Sequence, residues 1–166
     1  MAAGVAFLGT RPEIDSRRIG LMGVSQAGWI IPLAARRAPS AAFMVLVVGP
    51  TVSVGLEIYY SDLAERTAVP LEQVYPQLAG FRGPAGFDPR PTLEAISTPG
   101  LWILGEQDRS IPTPHTVAVL AELRAAGRPY RWIVYPGATH GMTDAATGAS
   151  VDYLSDVLDF LAPWRR

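Results

Sequence analysis

The feature that most constrains the fold of this chain is a short apolar segment that runs into a serine between small residues. Ile19 to Val24 is apolar enough for a buried strand, and the helical pattern of Ala27 to Arg37 follows at once. The connecting turn, Gly23-Val24-Ser25-Gln26-Ala27-Gly28, has small residues on both sides of the serine. A strand that bends sharply into a helix leaves no room for larger side chains. The segment therefore predicts a strand–turn–helix unit with Ser25 at its apex.

This unit matches the nucleophile elbow, the G-x-S-x-G turn that exposes a reactive serine. Ala27 stands in place of the second glycine, which is the smallest possible change, and Gly28 follows it. The alternative is an ordinary glycine-rich turn between a strand and a helix, in which the serine has no chemical task. Small residues on both sides of Ser25 favour the elbow and make this serine a candidate nucleophile.

Composition limits the classes to which the chain can belong. Its 166 residues suffice for one domain, and a hydrophobic content of 49% suits a parallel sheet buried on both faces. The net charge of −1 gives no reason to expect nucleic acid or a membrane surface as a partner. No apolar run approaches the ~18 residues that span a bilayer, and we expect a cytoplasmic protein. With two histidines and no cysteine, neither a metal nor another cofactor is expected.

The rest of the chain alternates strands with helices. Such alternation is typical of right-handed βαβ units, so we expect one α/β domain over 1–166 with a mostly parallel sheet of about four strands and helices on both faces. The strands are predicted at 19–24, 43–48, 101–104 and 130–135, and the main helices at 2–9, 27–37, 113–126 and 150–161. The last helix is predicted to bury one apolar stripe of Val151, Leu154, Val157, Leu158 and Leu161.

Residues 51–96 interrupt this alternation. They are rich in proline and glycine, with short helices predicted near 55–67 and 71–79, and we interpret them as a helical lid inserted over the site. Tyr59 and Tyr60 in this insertion are candidates to line a substrate pocket, together with Trp29 from the helix after the serine. The alternative for all three side chains is ordinary packing, in the lid or in the core.

Three predicted strand ends carry side chains that fit one reaction. Ser25 follows the first strand, Asp108 the third and His140 the fourth, and the carboxyl ends of parallel strands meet at one edge of a sheet. A histidine activates a serine by accepting its proton, and a carboxylate holds the histidine in the required tautomer. Glu106 and Asp144 are alternative acids, but the first comes early in its turn and the second lies beyond the histidine.

Three segments carry a resemblance to a known family: Ile19–Trp29, Leu104–Pro112 and Tyr135–Gly141. They resemble α/β-hydrolases, close to the esterase and prolyl-oligopeptidase-like branch, and the resemblance covers nearly the whole chain. It implies that Ser25 is the nucleophile, His140 the general base and Asp108 the acid that orients it. That fold has further strands ahead of the serine turn, so the resemblance implies a truncated α/β-hydrolase fold here.

The implied activity is that of a serine hydrolase that cleaves carboxylic esters through an acyl-serine intermediate. The backbone N–H of Gln26 is the expected oxyanion donor, and the family's second donor comes from a loop that this chain lacks. Two alternatives stay open: a weak or silent fragment that acts as an interaction module, and an acyltransferase with the same triad. An exposed edge at 19–24 also predicts a homodimer or association with a separate N-terminal segment.

Overall fold

The structure is a computed structural model that describes residues 1–66 and 69–165. Within these ranges the strands are β1 (Leu21–Val24), β2 (Met44–Val47), β3 (Gly100–Gly105) and β4 (Tyr130–Tyr135). The α-helices are α1 (Ala2–Gly9), α2 (Ala27–Arg37), α3 (Val54–Arg66), α4 (Leu71–Val74), α5 (Arg90–Ala95), α6 (Thr113–Ala125) and α7 (Leu154–Phe160). Short 3₁₀ turns lie at Ser16–Arg18, Tyr75–Gly80 and Ala162–Trp164. No helix in the described part of the chain is both long and apolar enough to cross a bilayer.

The strands form one parallel sheet in the order β1-β2-β3-β4. Parallel strands need crossover connections, and helices supply them here. Because all four strands are parallel, their carboxyl ends lie along one edge of the sheet. The turns after β1, β3 and β4 meet at this edge. This confirms the expected α/β fold with helices on both faces of the sheet.

The two faces of the sheet are covered to different extents. One face is covered by α2, α5 and α6, which contribute Ile31, Leu93 and Leu120 to the larger apolar core. The opposite face is covered by α7, through Val157 and Phe160. Removal of these side chains from water is the main favourable contribution to the fold, at roughly 25 cal/mol per Å² of apolar surface.

The stripe predicted for the last helix is wrong in part. The helix begins at Leu154, and the side chains of Leu154 and Leu158 are 58% and 43% exposed. Val157 and Phe160 are the residues that α7 buries. Phe160 packs edge-on against Phe43, and the large area of these rings decides which side of the helix faces the sheet.

The segment expected to be an insertion contains two parts with different packing. The helices α3 and α4 and the turn after them form a small apolar cluster of their own, made of Tyr60, Ala64, Leu71, Val74 and Leu78. The helix α5, which was not predicted, joins the larger core through Leu93. The two helices predicted in this segment are present, and residues 54–66 and 69–80 include contacts with the loop after β3.

Strand β1 lies at one edge of the sheet. Among the described strands it pairs with β2 alone, and Met22 and Val24 are 50% and 57% exposed. Leu21, which points to the opposite face, is buried. The serine turn therefore follows a strand that is supported on one side.

Candidate active site

Ser25 occupies the turn between β1 and α2 with a φ of 55°, a left-handed conformation that residues other than glycine rarely adopt. Its N–H donates to the carbonyl oxygen of Val47 at 2.9 Å, and its own carbonyl accepts from the N–H of Gly28 at 3.0 Å. These two hydrogen bonds tie the turn to β2 and to the start of α2. The strained backbone is held by its neighbours on both sides, as such conformations require.

Close contacts explain why small residues surround the serine. A Cβ at Gly23 would lie 2.5 Å from the Cβ of Ala27, and a Cβ at Gly28 would lie 2.4 Å from the carbonyl oxygen of Pro50. Both distances are too short for any side chain without a shift of the backbone. The methyl group of Ala27 is buried in the larger core, so alanine fits where the motif has its second glycine.

Asp108 lies in the loop after β3 and has no exposed surface. Its Oδ1 accepts hydrogen bonds from the N–H groups of Ser110 and Ile111, both at 2.8 Å. Its Oδ2 lies 2.9 Å from the Nδ1 of His140. One oxygen therefore fixes the carboxylate to its own loop, and the other is directed at the imidazole.

His140 connects the acid to the serine. Its Nδ1 faces Asp108, and its Nε2 lies 3.1 Å from the Oγ of Ser25. The hydrogen bond with Asp108 raises the pKa of His140, and partial burial of the ring works in the opposite direction. A hydroxyl, an imidazole and a carboxylate thus form one continuous hydrogen-bonded chain, in which the imidazole can accept the serine proton while the carboxylate stabilises the resulting charge.

The alternative acids have other partners. Glu106 accepts a hydrogen bond from the N–H of Gly137 at 3.1 Å. Asp144 accepts from the N–H groups of Ala146 and Thr147, at 3.1 and 2.8 Å. Both carboxylates therefore support the loop that carries the histidine, and the carboxylate bonded to that histidine is Asp108. Among the residues that the structure describes, no group of three or more His, Cys, Asp or Glu side chains is placed to hold a metal ion.

The backbone N–H of Gln26 is free to bind an anion. Gln26 precedes the first residue of α2, and no acceptor for its N–H is found in residues 1–66 and 69–165. The first amides of a helix carry a partial positive charge that favours a negative oxygen. A donor one residue after the serine can therefore stabilise an oxyanion formed there.

A cavity of about 300 Å³ lies beside His140. The loop after β3 contributes Gln107, Arg109 and Ser110 to its wall, and the loop after β4 contributes Thr139 and Gly141. A larger cavity of about 430 Å³, between α4 and α6, contains none of the three hydrogen-bonded side chains.

Of the three expected pocket residues, Tyr60 is placed elsewhere. Its side chain has no exposed surface, and its hydroxyl donates to the backbone carbonyl of Asp108 at 2.6 Å, so it supports the acid rather than a ligand. Trp29 is partly buried and donates from its indole N–H to the carbonyl of Val52 at 2.9 Å. Tyr59 is partly buried against Phe81. Neither Trp29 nor Tyr59 lines the cavity beside the histidine.

Sequence reasoning missed Glu57, a half-buried carboxylate on α3 that faces the same site. Its pKa is raised to about 7, mainly by burial and to a smaller extent by the charges of Glu65 and Asp108, while the charge of His140 works in the opposite direction. No motif marks this residue, because its position depends on how α3 packs against the loops after β3 and β4. Only the packed structure reveals it.

A parallel sheet with a serine turn after one strand, an acid and a histidine after two others, and helices on both faces defines the α/β-hydrolase class. Within that class the chain belongs to the prolyl oligopeptidase family, whose family model matches residues 1–165.

The chain is similar in sequence to part of two curated proteins. The acylamino-acid-releasing enzymes of Mus musculus and Sus scrofa are each 24% identical over 137 residues, which is 80% of this chain and 19% of theirs. The chain therefore spans about a fifth of the length of these curated relatives.

Solved structures share the fold at low identity. An esterase of Pyrococcus furiosus superposes with a TM-score of 0.69 at 16% identity, covering 99% of this chain and 60% of its own. An uncomplexed acylaminoacyl peptidase of Pyrococcus horikoshii has a TM-score of 0.65 at 19% identity, covering 97% and 26%. For acetyl xylan esterase 1 of a Thermoanaerobacterium species the values are 0.62 and 20%, covering 99% and 51%.

Proposed function

We propose that this chain is a serine hydrolase that cleaves carboxylic esters through an acyl-Ser25 intermediate. The observation that supports it most is the hydrogen-bonded chain from Ser25 through His140 to Asp108, with distances of 3.1 and 2.9 Å. Three side chains from separate strand ends meet in the order that nucleophilic catalysis needs. Membership of the prolyl oligopeptidase family is consistent with this chemistry.

The reaction proceeds in two stages. The Oγ of Ser25 attacks the ester carbonyl carbon while its proton moves to the Nε2 of His140, and the N–H of Gln26 binds the oxyanion. The C–O bond to the leaving alcohol then breaks, and His140 returns the proton to that alcohol. Water next attacks the acyl-serine carbonyl while losing a proton to His140. The bond between the acyl carbon and the Oγ of Ser25 then breaks, His140 returns the proton to that Oγ, and the carboxylic acid leaves.

Esters are the proposed substrates because they demand less stabilisation than amides. The described residues offer one backbone donor beside the serine, and the loss of one such donor lowers turnover by about 10²–10³ in enzymes that have two. An alcohol is a better leaving group than an amine, so ester cleavage tolerates a weaker oxyanion site. Release of an acylated amino acid by amide cleavage is the second candidate, supported by the names of the curated relatives.

The test is hydrolysis of p-nitrophenyl acetate and of N-acetyl-alanine p-nitroanilide by the purified chain. We expect turnover of the ester, with less or none of the anilide, and loss of ester turnover in both Ser25→Ala and His140→Ala. Equal rates in wild type and Ser25→Ala would contradict the proposal. Turnover that forms a new ester when an alcohol is added identifies an acyltransferase, and no turnover in any variant identifies a silent domain.

We further propose that the free edge of β1 pairs with another strand, from a second copy or from a separate N-terminal segment. The backbone of β1 supports this, because among the described strands it pairs with β2 on one side only, and an open strand edge favours pairing with another chain. Met22 and Val24 add an uncovered apolar face beside that edge. Light scattering at micromolar concentration is expected to show a dimer or an aggregation-prone species. A stable, well-folded monomer would count against both partners.

A further inference from the structure

Glu57 is a half-buried carboxylate to which the proposed mechanism assigns no task. It lies on α3, one helical turn before Tyr60. That turn of α3 is anchored over the acid, because the hydroxyl of Tyr60 donates to the carbonyl oxygen of Asp108 at 2.6 Å. About two helical turns after Glu57, Glu65 accepts a hydrogen bond from the hydroxyl of Ser110 at 2.8 Å. The helix is therefore fixed against the loop that carries Asp108, and Glu57 lies one turn from the first of these two contacts.

The charged groups whose fields act on Glu57 are His140, Glu65 and Asp108. Two of these are carboxylates, and the imidazole already has Asp108 and Ser25 as partners. Among the residues that the structure describes, no side chain forms a hydrogen bond or an ion pair with the carboxylate of Glu57. A partly desolvated carboxylate without a counter-charge is costly, and such groups concentrate at functional sites.

We propose that Glu57 binds a positively charged group of the substrate, so that the preferred ester carries a cation within reach of α3. This inference rests on the proposed ester hydrolysis at Ser25. A cation there would supply the counter-charge that Glu57 lacks. The competing role is electrostatic support of His140, because the charge of Glu57 also favours the protonated imidazole. That role acts on every substrate alike, whereas a binding role acts only on charged ones.

Two pairs of esters with the same shape separate these roles. In the first pair the leaving group carries the charge: choline butyrate is compared with 3,3-dimethylbutyl butyrate. In the second the acyl group carries it: p-nitrophenyl 4-(trimethylammonio)butanoate is compared with p-nitrophenyl 5,5-dimethylhexanoate. The quaternary ammonium stays charged at every pH. The ratio of kcat/KM for the charged ester to that for its neutral counterpart cancels the titration of His140, because both esters depend on it equally.

We expect the ratio in wild type at pH 8.5 to be about fivefold in at least one pair, the upper end of what an ion pair partly screened by water contributes. It is expected to fall to about one in Glu57→Gln, and to decline in wild type as the pH is lowered through about 7. The matched control is Asp62→Asn, which removes an exposed carboxylate from the same helix and leaves the ratio unchanged.

Two results would overturn the inference. They are a ratio near one in wild type, and a ratio that Glu57→Gln leaves unchanged, including the case in which Glu57→Gln lowers kcat/KM equally for charged and neutral esters. That case would assign the carboxylate to His140. Hydrolysis of both members of each pair without preference contradicts only the role of Glu57. No hydrolysis of any ester contradicts the proposed function and this inference with it.

Discussion

The strand that carries the acid and the strand that carries the serine are supported differently. β3 lies between β2 and β4, and all 6 of its residues are buried. β1 has 4 residues and pairs with β2 alone among the described strands, and its side chains at Met22 and Val24 are exposed. The carboxylate of Asp108 is thus fixed from every side, whereas Ser25 rests on a turn after an edge strand.

Asp108 is held in place by more contacts than Ser25. Around Asp108, two backbone N–H groups, the hydroxyl of Tyr60 and the ring of His140 all set its position. Around Ser25, the turn depends on its bonds with Val47 and Gly28. Loss of one contact should therefore lower activity less around Asp108 than around Ser25. The exception is a change of the carboxylate that bonds to His140.

Asp108→Asn is expected to have the largest effect among the changes to either side. The asparagine oxygen can still accept from the N–H groups of Ser110 and Ile111, but its amide donates toward the Nδ1 of His140. That favours the tautomer whose Nε2 carries a proton and cannot accept one, so kcat is expected to fall about 10⁴-fold. The measurement is p-nitrophenyl acetate hydrolysis, with circular dichroism to check the fold. Glu106→Gln is the control, and a loss below about tenfold in Asp108→Asn would contradict this role.

The pH dependence of kcat/KM tests the same interaction between Asp108 and His140. The hydrogen bond with Asp108 raises the pKa of His140 above its ordinary value of 6.5. Only the neutral imidazole accepts the serine proton, so kcat/KM for a neutral ester falls as the pH drops through this raised pKa. The midpoint of the acid limb is expected above 6.5 in a pH–rate profile. A midpoint near 5.5 would show that the carboxylate does not stabilise the imidazolium.

Gly28→Ala tests the serine side. The new methyl group would lie 2.4 Å from the carbonyl oxygen of Pro50, so the turn must shift, at a cost of about 1–3 kcal/mol in the free energy of unfolding. Gly4→Ala in α1 is the control, because its methyl group meets nothing within 4 Å and alanine favours a helix. Urea denaturation measures both variants. Equal stability of the two would contradict the close packing of the turn.

Tyr60→Phe tests the redundancy of the acid side. It removes one hydroxyl and leaves the buried carbonyl of Asp108 without that donor, at an expected cost of about 1–2 kcal/mol. Since three other contacts still hold Asp108, kcat is expected to fall far less than in Asp108→Asn. Tyr59→Phe, on the neighbouring position, should change neither quantity. A loss of kcat as large as that of Asp108→Asn would show that the carboxylate depends on this one bond.

Met22→Lys is expected to have the smallest effect on stability. Its side chain is half exposed, so the free energy of unfolding of the isolated chain should change by less than about 0.5 kcal/mol. Val45, its neighbour across the β1–β2 register, is buried, and Val45→Ala should cost more than about 1 kcal/mol. If β1 pairs with another strand in solution, Met22→Lys also weakens that association in light scattering. A large loss of monomer stability would show that the edge is already covered.

Much of the fold follows from local patterns. The strands and the helices around them are marked by apolar runs and stops, and the order of serine, acid and histidine follows from what comes after each strand. The small residues at Gly23 and Gly28 are also readable, because their spacing reflects steric contacts of the turn itself. These features depend on neighbours in the sequence, which is why the sequence contains them.

What the sequence does not show depends on contacts between distant segments. The stripe predicted for the last helix includes the buried Val157 but not Phe160, which packs against Phe43, far away in the chain. Tyr60 and Glu57 are one helical turn apart, yet Tyr60 is bonded to the acid, and Glu57 has no hydrogen-bond partner among the described residues. Periodicity places both on a helix but does not indicate which loop the helix meets.

The central claim is that Ser25 is a nucleophile activated by His140. A fluorophosphonate probe followed by peptide mass mapping tests it most directly, because such probes bond only to an activated serine. The account predicts one adduct, on the peptide that contains Ser25, and no adduct in Ser25→Ala or His140→Ala. Labelling of Ser25→Ala to the same extent as wild type, or no labelling of a correctly folded wild type, would contradict it.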